Sequence, residues 1–62
     1  MYPIDSVFID FGTLFDFDEP VRVLKLVAIE DDMCTFNYLD GTFACHGHAD
    51  SIFDDMELLC PT

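Results

Sequence analysis

The chain has 62 residues and carries 13 Asp and Glu against two Lys and Arg, a formal net charge of -11 at pH 7. Because 52% of its residues are hydrophobic and 15% are aromatic, the composition excludes an acidic disordered tail, and the length limits residues 1–62 to one domain. A membrane-spanning helix is excluded as well, because the longest apolar run is Leu26-Val27-Ala28-Ile29 and such a helix needs roughly 20 apolar residues.

Alternating side chains predict a first strand near residues 7–15. From Ile9 onward the odd positions are mostly apolar and the even positions mostly acidic or small, so one face of this strand would be buried. Gly12 is expected to bend the strand, and the acidic segment that ends at Pro20 is expected to form a long loop.

The middle of the chain predicts two further strands joined by a tight acidic turn. Residues 21–29 are the most β-prone segment and are apolar on both faces, and residues 33–39 alternate again after the turn at residues 30–32. Asp40 and Gly41 then predict a two-residue type I′ turn, because both residue types tolerate positive φ angles.

The last third of the chain predicts a fourth strand, a short turn and a closing strand. Residues 42–48 alternate, with Phe43 and Cys45 inward. Ser51, with an acid three residues later, predicts one turn of 3₁₀ helix before a final strand at residues 56–60.

These assignments divide the apolar residues into an inward set and a remainder. The inward set comprises Ile9, Phe11, Phe15, Val21, Val23, Val27, Cys34, Phe36, Tyr38, Phe43, Cys45, Ile52, Met56 and Leu58. The remainder comprises Phe8, Leu14, Phe17, Leu24, Leu26, Phe53 and Leu59. Because a monomer rarely exposes so many large apolar groups, we expect either a homodimer or an apolar patch that binds a partner.

Two segments carry a resemblance to a known fold. They are the hairpin Cys34-Thr35-Phe36-Asn37-Tyr38-Leu39-Asp40-Gly41 and the turn Ser51-Ile52-Phe53-Asp54-Asp55 before Met56-Glu57-Leu58-Leu59. With them, the chain from about Phe8 to Cys60 resembles the SH3-like small β-barrels, including Tudor-type modules. The resemblance implies an all-β fold, a small five-stranded SH3-like barrel with one short 3₁₀ turn before the last strand. An oligonucleotide-binding-type barrel is the nearest alternative, although it usually needs a longer chain.

The charge indicates the kind of partner that the protein would meet. Only Arg22 and Lys25 could contact phosphates, so direct binding to nucleic acid or to an anionic membrane is not expected. A net charge of -11 attracts basic surfaces instead. It also exceeds the magnitude of about 2 to 8 charges that is usual for solubility in a small domain, although solubility alone is the alternative explanation.

Three cysteines, Cys34, Cys45 and Cys60, form no close pairing motif. The first residues of the sequence lack the basic and apolar segments of a secretory signal peptide. Both observations predict free, mostly buried thiols in a protein of the reducing cytoplasm.

His46 and His48 are a weak candidate for a metal site, because residues two apart on a strand share a face. Zinc sites need three or four convergent ligands, so two solvated histidines are the expected arrangement. The acidic pairs of the chain lie in predicted loops, and no nucleophile-elbow or phosphate-loop motif accompanies them. We therefore expect no cofactor and no enzymatic activity.

The Tudor resemblance implies a second possibility for the aromatic residues. In such modules, aromatics from the first long loop and the central strands cage a methylated Lys or Arg, and Phe15, Phe17, Tyr38 and Phe43 with Asp40 occupy roughly comparable places. Cation–π attraction and a nearby carboxylate would favour such a cation. Core packing of these rings is the alternative.

The acids provide the main functional prediction. They fall in the predicted loops and on outward strand positions, including Asp5, Asp10 and Glu57, and in charge and size the chain resembles small acidic β proteins of phages and mobile elements that occupy nucleic-acid-binding sites. The expected function is a non-enzymatic inhibitor or regulator of a basic, nucleic-acid-binding protein. A Tudor-like peptide-recognition module or a small homo-oligomeric subunit is the alternative. The predicted partner-binding residues are Asp16, Asp18, Glu19, Glu30, Asp31, Asp32, Phe17, Leu24 and Leu26.

Overall fold

Five antiparallel strands make up most of the structure, a computed structural model that describes residues 2–60 without the side chains of residues 15–17. The strands are β1 (Val7–Asp10), β2 (Arg22–Glu30), β3 (Met33–Tyr38), β4 (Phe43–His48) and β5 (Met56–Cys60), with helix α1 (Gly12–Phe17) after β1 and a 3₁₀ turn (Ile52–Asp55) before β5. The predicted all-β class and the 3₁₀ turn before the last strand are confirmed. Neither helical segment in residues 2–60 has the length and apolar content that a bilayer-spanning helix requires.

The strands lie in the order β4-β3-β2-β1-β5. β1 pairs with both β2 and β5, whereas β4 and β5 form the two edges and do not pair with each other within residues 2–60. The predicted closure into a barrel is therefore wrong, and the sheet is open although barrel-like. The 3₁₀ turn contacts both edge strands, so it occupies the place where direct pairing of β4 with β5 would close the sheet.

The predicted first strand, residues 7–15, is wrong in its second half, because the chain leaves the sheet after Asp10 and forms α1. Asp10 Oδ1 accepts a hydrogen bond from the Gly12 N–H at 2.8 Å, and the Phe11 N–H donates to the Asp55 carbonyl at 2.7 Å. These bonds satisfy backbone groups that a longer β1 would have to pair with its neighbours. The chain can therefore turn away from the sheet at this point.

The core lies on one face of the sheet, here called the inner face. It consists of five residues that are at most 1% exposed: Phe8, Leu24, Leu26, Cys34 and Phe36. The assignment of faces from the sequence is confirmed for β3 and wrong for β1 and β2, where it puts Ile9, Val23 and Val27 inside. A shift of one residue moves a whole strand's side chains to the other face. The apolar residues on both faces of β2 do not indicate which face is buried. For β1, the assignment depends on alternation that continues into Gly12–Phe17, and these residues form α1 instead.

The hairpin between β3 and β4 has a three-residue loop, so the predicted two-residue turn is wrong. The Tyr38 N–H donates to the Thr42 carbonyl at 2.8 Å, and the Gly41 N–H donates to the Tyr38 carbonyl at 2.9 Å. Gly41 alone among the loop residues has a positive φ, 96°, which is the pattern of a type I turn followed by a left-handed residue. A type I′ turn would also need a positive φ at Asp40.

An irregularity in the pairing of β3 with β4 changes the face of Phe43. Phe36 pairs with Cys45 and Asn37 pairs with Phe43, so Ala44 is an extra residue in β4. Cys45 keeps its predicted inner position, but Phe43 shares the outer face with Asn37 and is 60% exposed. The predicted inward position of Phe43 is therefore wrong.

The 3₁₀ turn covers the inner face of the sheet. The ring centroid of Phe53 lies 5.3 Å from that of Phe8 and 5.8 Å from that of Phe36. Ile52 lies over β4 at Gly47, where an added Cβ would be 2.6 Å from Ile52 Cδ1. The close approach of the turn to β4 therefore depends on a residue without a side chain at position 47.

We predict that Gly47→Ala destabilises the protein by about 1–3 kcal/mol, the usual cost of overpacking a core. The added methyl group collides with Ile52, and chemical denaturation measures the loss in the free energy of unfolding. Ile52→Val removes the Cδ1 atom, so the double variant should be more stable than the sum of the two single effects predicts. Strictly additive effects would show that these two side-chain positions are not in contact.

Candidate partner-binding surface

Both basic side chains of the protein are engaged by carboxylates. Arg22 donates to Asp10 from Nε and Nη2, and Lys25 Nζ lies 4.0 Å from Asp5 Oδ1. The sequence contains no further Lys or Arg. With 13 acids against two basic residues in the sequence, most of the negative charge has no Lys or Arg of the same chain to balance it.

The Asp10–Arg22 pair is the buried ionic contact of the sheet. Asp10 is 4% exposed, because it alternates with Phe8 and points to the inner face, so its predicted outward position is wrong. Its Oδ2 accepts from Arg22 Nε at 3.1 Å and from Nη2, and its Oδ1 accepts from the Gly12 N–H. Partial burial lowers the pKa of Arg22, but hydrogen bonds with Tyr38 and Asp10 outweigh it, so the pKa is raised and the guanidinium stays charged.

A cavity of about 280 Å³ lies beside this ion pair, where α1, β4 and the 3₁₀ turn come together. Arg22, Cys45, Asp55 and Met56 contribute to its lining, and Arg22 Nη2 is 3.9 Å from Cys45 Sγ. Burial raises the pKa of the Cys45 thiol, although the charge of Arg22 partly opposes it. The thiol is therefore protonated at neutral pH, and a thiol is a weaker nucleophile and metal ligand than a thiolate.

The three cysteines are unpaired, as the sequence predicts, but the expectation that they are mostly buried is wrong, because Cys34 is buried, Cys45 is half-buried and Cys60 is exposed. Burial raises the pKa of the Cys34 thiol, and the negative charge of Asp32 raises it further. Cys34 therefore packs as a small apolar side chain in the core.

A first group of acids surrounds the end of the sheet at which β2 begins. These acids, here called the Arg22-end acids, lie after α1, in the β3–β4 loop and in the 3₁₀ turn: Asp18, Glu19, Asp40, Asp54 and Asp55. All of them are exposed. Asp18 ends α1 with a left-handed φ of 54°, and the Glu19 N–H donates to the Thr13 carbonyl at 3.1 Å. The helix end therefore holds two carboxylates beside the start of β2.

A second group of acids surrounds the opposite end of β2. These Glu30-end acids lie in the β2–β3 turn and after β4: Glu30, Asp31, Asp32 and Asp50. The Ala49 N–H donates to the Asp32 carbonyl at 2.7 Å, which brings the two turns together. Asp31 has a left-handed φ of 52°, a conformation that Asp adopts more readily than most residues.

The length of β2 separates the two groups of acids. At a rise of roughly 3.3 Å per residue, Arg22 and Glu30 are about 26 Å apart, in a molecule whose longest extent is 30 Å. The predicted partner-binding acids are therefore divided between two surfaces, with Asp18 and Glu19 on one and residues 30–32 on the other. These exposed acids form two separate groups, neither a single row nor a uniform coat.

The predicted apolar anchors need correction. Leu24 and Leu26 are fully buried in the core, so they cannot contact a partner and their predicted role is wrong. The remaining predicted contacts, Asp16 and Phe17, lie in α1, where their side chains are outside the described part of the chain.

Exposed apolar residues form a patch on the outer face of the sheet, at the Arg22 end. This surface, here called the outer patch, comprises Ile9, Val21, Val23, Leu39 and Phe43. Ile9 and Val23 are cross-strand partners and are half-buried, whereas Val21, Leu39 and Phe43 are exposed. Leu39 follows Tyr38, the cross-strand partner of Leu24, as the first residue of the hairpin loop, so it adjoins this end of the sheet. The apolar residues on both faces of β2 are the feature of the sequence that indicates this patch.

His46 and His48 share the outer face of β4, opposite Thr35 and Met33. The described residues contain no group of three or more His, Cys, Asp or Glu placed to hold a metal ion. The two histidines therefore remain a pair without a third ligand in the part of the chain that the structure describes.

The aromatic residues that would form a cage do not converge where their side chains are described. Tyr38 pairs with Leu24 and lies on the inner face, whereas Phe43 pairs with Asn37 and lies on the outer face. Phe15 and Phe17 belong to α1, and their side chains are not described. Tyr38 and Phe43 therefore cannot hold one cation between them in this arrangement.

No protein-family model, no curated protein and no solved structure matches this chain. The charge and the geometry of the chain itself therefore carry what can be inferred about its function.

We predict that Arg22→Met destabilises the protein by roughly 3 kcal/mol, the lower end of the range for breaking a buried ion pair. The variant leaves the Asp10 carboxylate buried without its cation, and the lower end applies because the Arg22 side chain is 24% exposed. Combining it with Asp10→Asn should recover most of the loss, because the amide oxygen can still accept from the Gly12 N–H. Urea denaturation measures the three free energies of unfolding.

Lys25→Met is the matched control for this change. It breaks the exposed contact with Asp5 and should cost less than about 1 kcal/mol. Equal losses in Lys25→Met and Arg22→Met would argue against a special role for the inner pair.

The exposed Asp40 carboxylate provides a pH-dependent prediction. It accepts hydrogen bonds from the Thr42 hydroxyl at 2.7 Å and from the Thr42 N–H at 2.9 Å, and these bonds lower the pKa of Asp40. A carboxyl whose pKa is lowered by folding stabilises the fold above its unfolded pKa, and the contribution is lost as the pH falls through the folded pKa. We predict that Thr42→Val raises the pKa of Asp40 toward the ordinary aspartate value, as measured by NMR titration. Thr35→Val, on the outer face of β3, should leave that pKa unchanged.

Proposed function

We propose that the protein is a non-enzymatic inhibitor or regulator that binds a basic, nucleic-acid-binding surface of another protein. The observation that carries this proposal is the unbalanced charge of -11, with Asp5 and Asp10 already holding both basic side chains of the chain. Because 13 acids face two basic residues, most of the acids can find lysine or arginine partners only outside the chain. A surface rich in Lys and Arg, of the kind that binds phosphates, supplies them.

The Arg22 end of the sheet is the better placed of the two acidic ends for docking. Asp40 lies in the same loop as the exposed Leu39 and three residues before the exposed Phe43. Apolar groups at the centre of an interface carry affinity, whereas carboxylates at its rim raise the association rate and set specificity. The Arg22-end acids and the outer patch together have this composition.

Two resemblances support the proposal. The order of a strand, a connection, a three-stranded meander, a 3₁₀ turn and a short final strand is similar to that of SH3-like small barrels, including Tudor-type modules. In charge and size the chain resembles small acidic β proteins of phages and mobile elements, which place carboxylates where the phosphates of nucleic acid would lie. A viral-type inhibitor acting in the cytoplasm, where thiols stay reduced, is the setting that we propose.

The second candidate is a Tudor-like peptide-recognition module or a small homo-oligomeric subunit. The outer patch favours this candidate, because exposed apolar surface is typical of interaction sites. The opposite faces of Tyr38 and Phe43 weigh against an aromatic cage, and the charge of -11 on each copy weighs against self-association.

We predict that binding depends on salt and on the position of the acids. Two variants remove three charges each from opposite ends of the sheet: Asp18→Asn/Glu19→Gln/Asp54→Asn and Glu30→Gln/Asp31→Asn/Asp32→Asn. Both should fold, because Asn tolerates the positive φ of Asp18 and Asp31. Immobilised protein should capture basic nucleic-acid-binding proteins from a host lysate, and the Arg22-end variant should capture less than its equally charged counterpart.

Controls decide whether capture reflects the proposed function. Raising the salt from about 0.05 to 0.2 M should weaken capture strongly, as it does for phosphate contacts, and added chain should displace DNA or RNA from the captured protein. Capture that is indifferent to salt and to both variants would refute the proposal. Capture without displacement of nucleic acid would favour the peptide-recognition candidate.

A further inference from the structure

We infer that the outer patch is the surface on which the partner is seated, and that the partner segment seated there combines apolar with basic side chains. This inference rests on the proposed function and adds to it a location and a chemistry. The acidic ends of the sheet alone would accept any basic surface, whereas an apolar centre with an acidic rim selects among them.

The two faces of the sheet differ in how well their apolar side chains are covered, and this difference indicates an apolar partner segment. The 3₁₀ turn and Tyr2 pack over the inner face, where the ring centroids of Tyr2 and Phe8 are 4.9 Å apart. On the outer face at the Arg22 end, Phe43 is 60% exposed, and Leu39 in the adjoining hairpin loop is 59% exposed. Large exposed apolar side chains that lie close together usually belong to an interaction site.

Acidic residues at the border of the outer patch indicate that the partner segment carries basic side chains. Glu57 is the cross-strand partner of Ile9 on β5, and Asp40 lies in the β3–β4 loop beside Leu39. Lys25 is on the same face, in one cross-strand row with Asn37 and Phe43, and Asp5 Oδ1 lies 4.0 Å from its ammonium group. The border is therefore acidic, and a partner that covers the patch must bring cations to meet Glu57 and Asp40.

The acidic border also disfavours a homodimer in which a second copy of the chain covers the outer patch. A two-fold dimer would bury the same surface on both copies, so Glu57 and Asp40 of one copy would face an equally acidic surface. Each copy also carries a net charge of -11, and like charges brought together across an interface oppose association. A segment with alternating basic and apolar residues meets both the patch and its border.

The test uses two short synthetic peptides of equal charge, one alternating lysine with leucine and the other lysine with serine, added to the full chain and followed by NMR. The lysine–leucine peptide should bind more tightly and should shift the amide signals of Ile9, Val23 and Phe43. Leu39→Ser/Phe43→Ser should weaken that peptide about tenfold or more, as loss of interface anchors does. The same variant should leave the weaker binding of the lysine–serine peptide unchanged.

A control variant removes similar side chains away from the sheet. Ile4→Ser/Leu14→Ser replaces two residues that are 43% and 42% exposed, the first before β1 and the second in α1, and it should bind both peptides like the wild type. Equal affinity for the two peptides, or no loss in the Leu39→Ser/Phe43→Ser variant, would overturn the inference and leave the charge-driven function standing. If neither peptide bound, the proposed function itself would fail.

Analytical ultracentrifugation without peptide tests whether a second copy of the chain covers the outer patch. The wild type should sediment as a monomer at moderate salt, because the charge opposes self-association. A dimer that dissociates in the Leu39→Ser/Phe43→Ser variant would show that a second copy covers the patch, and the inference would then be wrong.

Discussion

The burial of Phe8 on the inner face is the constraint from which most other features of the structure follow. Phe8 pairs with Leu24 across β1 and β2, and both are almost completely excluded from solvent. Because successive side chains of a strand point to opposite faces, Phe8 inside requires Asp10 inside and Ile9 outside. Asp10 then needs a cation in the sheet, and Arg22, its cross-strand partner, supplies it. Ile9 in turn contributes to the apolar outer patch.

The use of a cation inside the sheet has an electrostatic consequence for the surface. With Arg22 held by Asp10 and Lys25 near Asp5, the exposed acids repel one another without compensation from the chain. The span of about 26 Å between the two acidic ends is roughly three Debye lengths at physiological ionic strength, so repulsion acts mainly within each group. This division allows a domain with a small core to tolerate its charge.

The sequence predicted those elements in which one face differs clearly from the other. β3 alternates Cys34 and Phe36 with polar residues, and its position and inner face are confirmed. Local patterns could not reveal that Asp10 ends β1 through a hydrogen bond to Gly12, or that Ala44 is an extra residue in β4. The end of β1 also involves a hydrogen bond from the Phe11 N–H to the distant Asp55 carbonyl, and the extra residue in β4 depends on its register with β3. For the site, the loop acids were recognised, but their division into two groups follows from the length and direction of β2.

For the partner that we propose, the arrangement of patch and acids would separate two stages of binding, approach and docking, which a net charge alone would not distinguish. A partner seated on the outer patch touches the Arg22 end, next to Asp40, and lies far from residues 30–32 at the other end of β2. In the complex that we propose, the Glu30-end acids would attract the partner during approach but make no contact with it, so they would act on the association rate alone. Asp40 and Glu57, at the border of the patch, would act on association and also on dissociation. Charge of the same sign would therefore have two roles, and the position along β2 would decide which role a given carboxylate has.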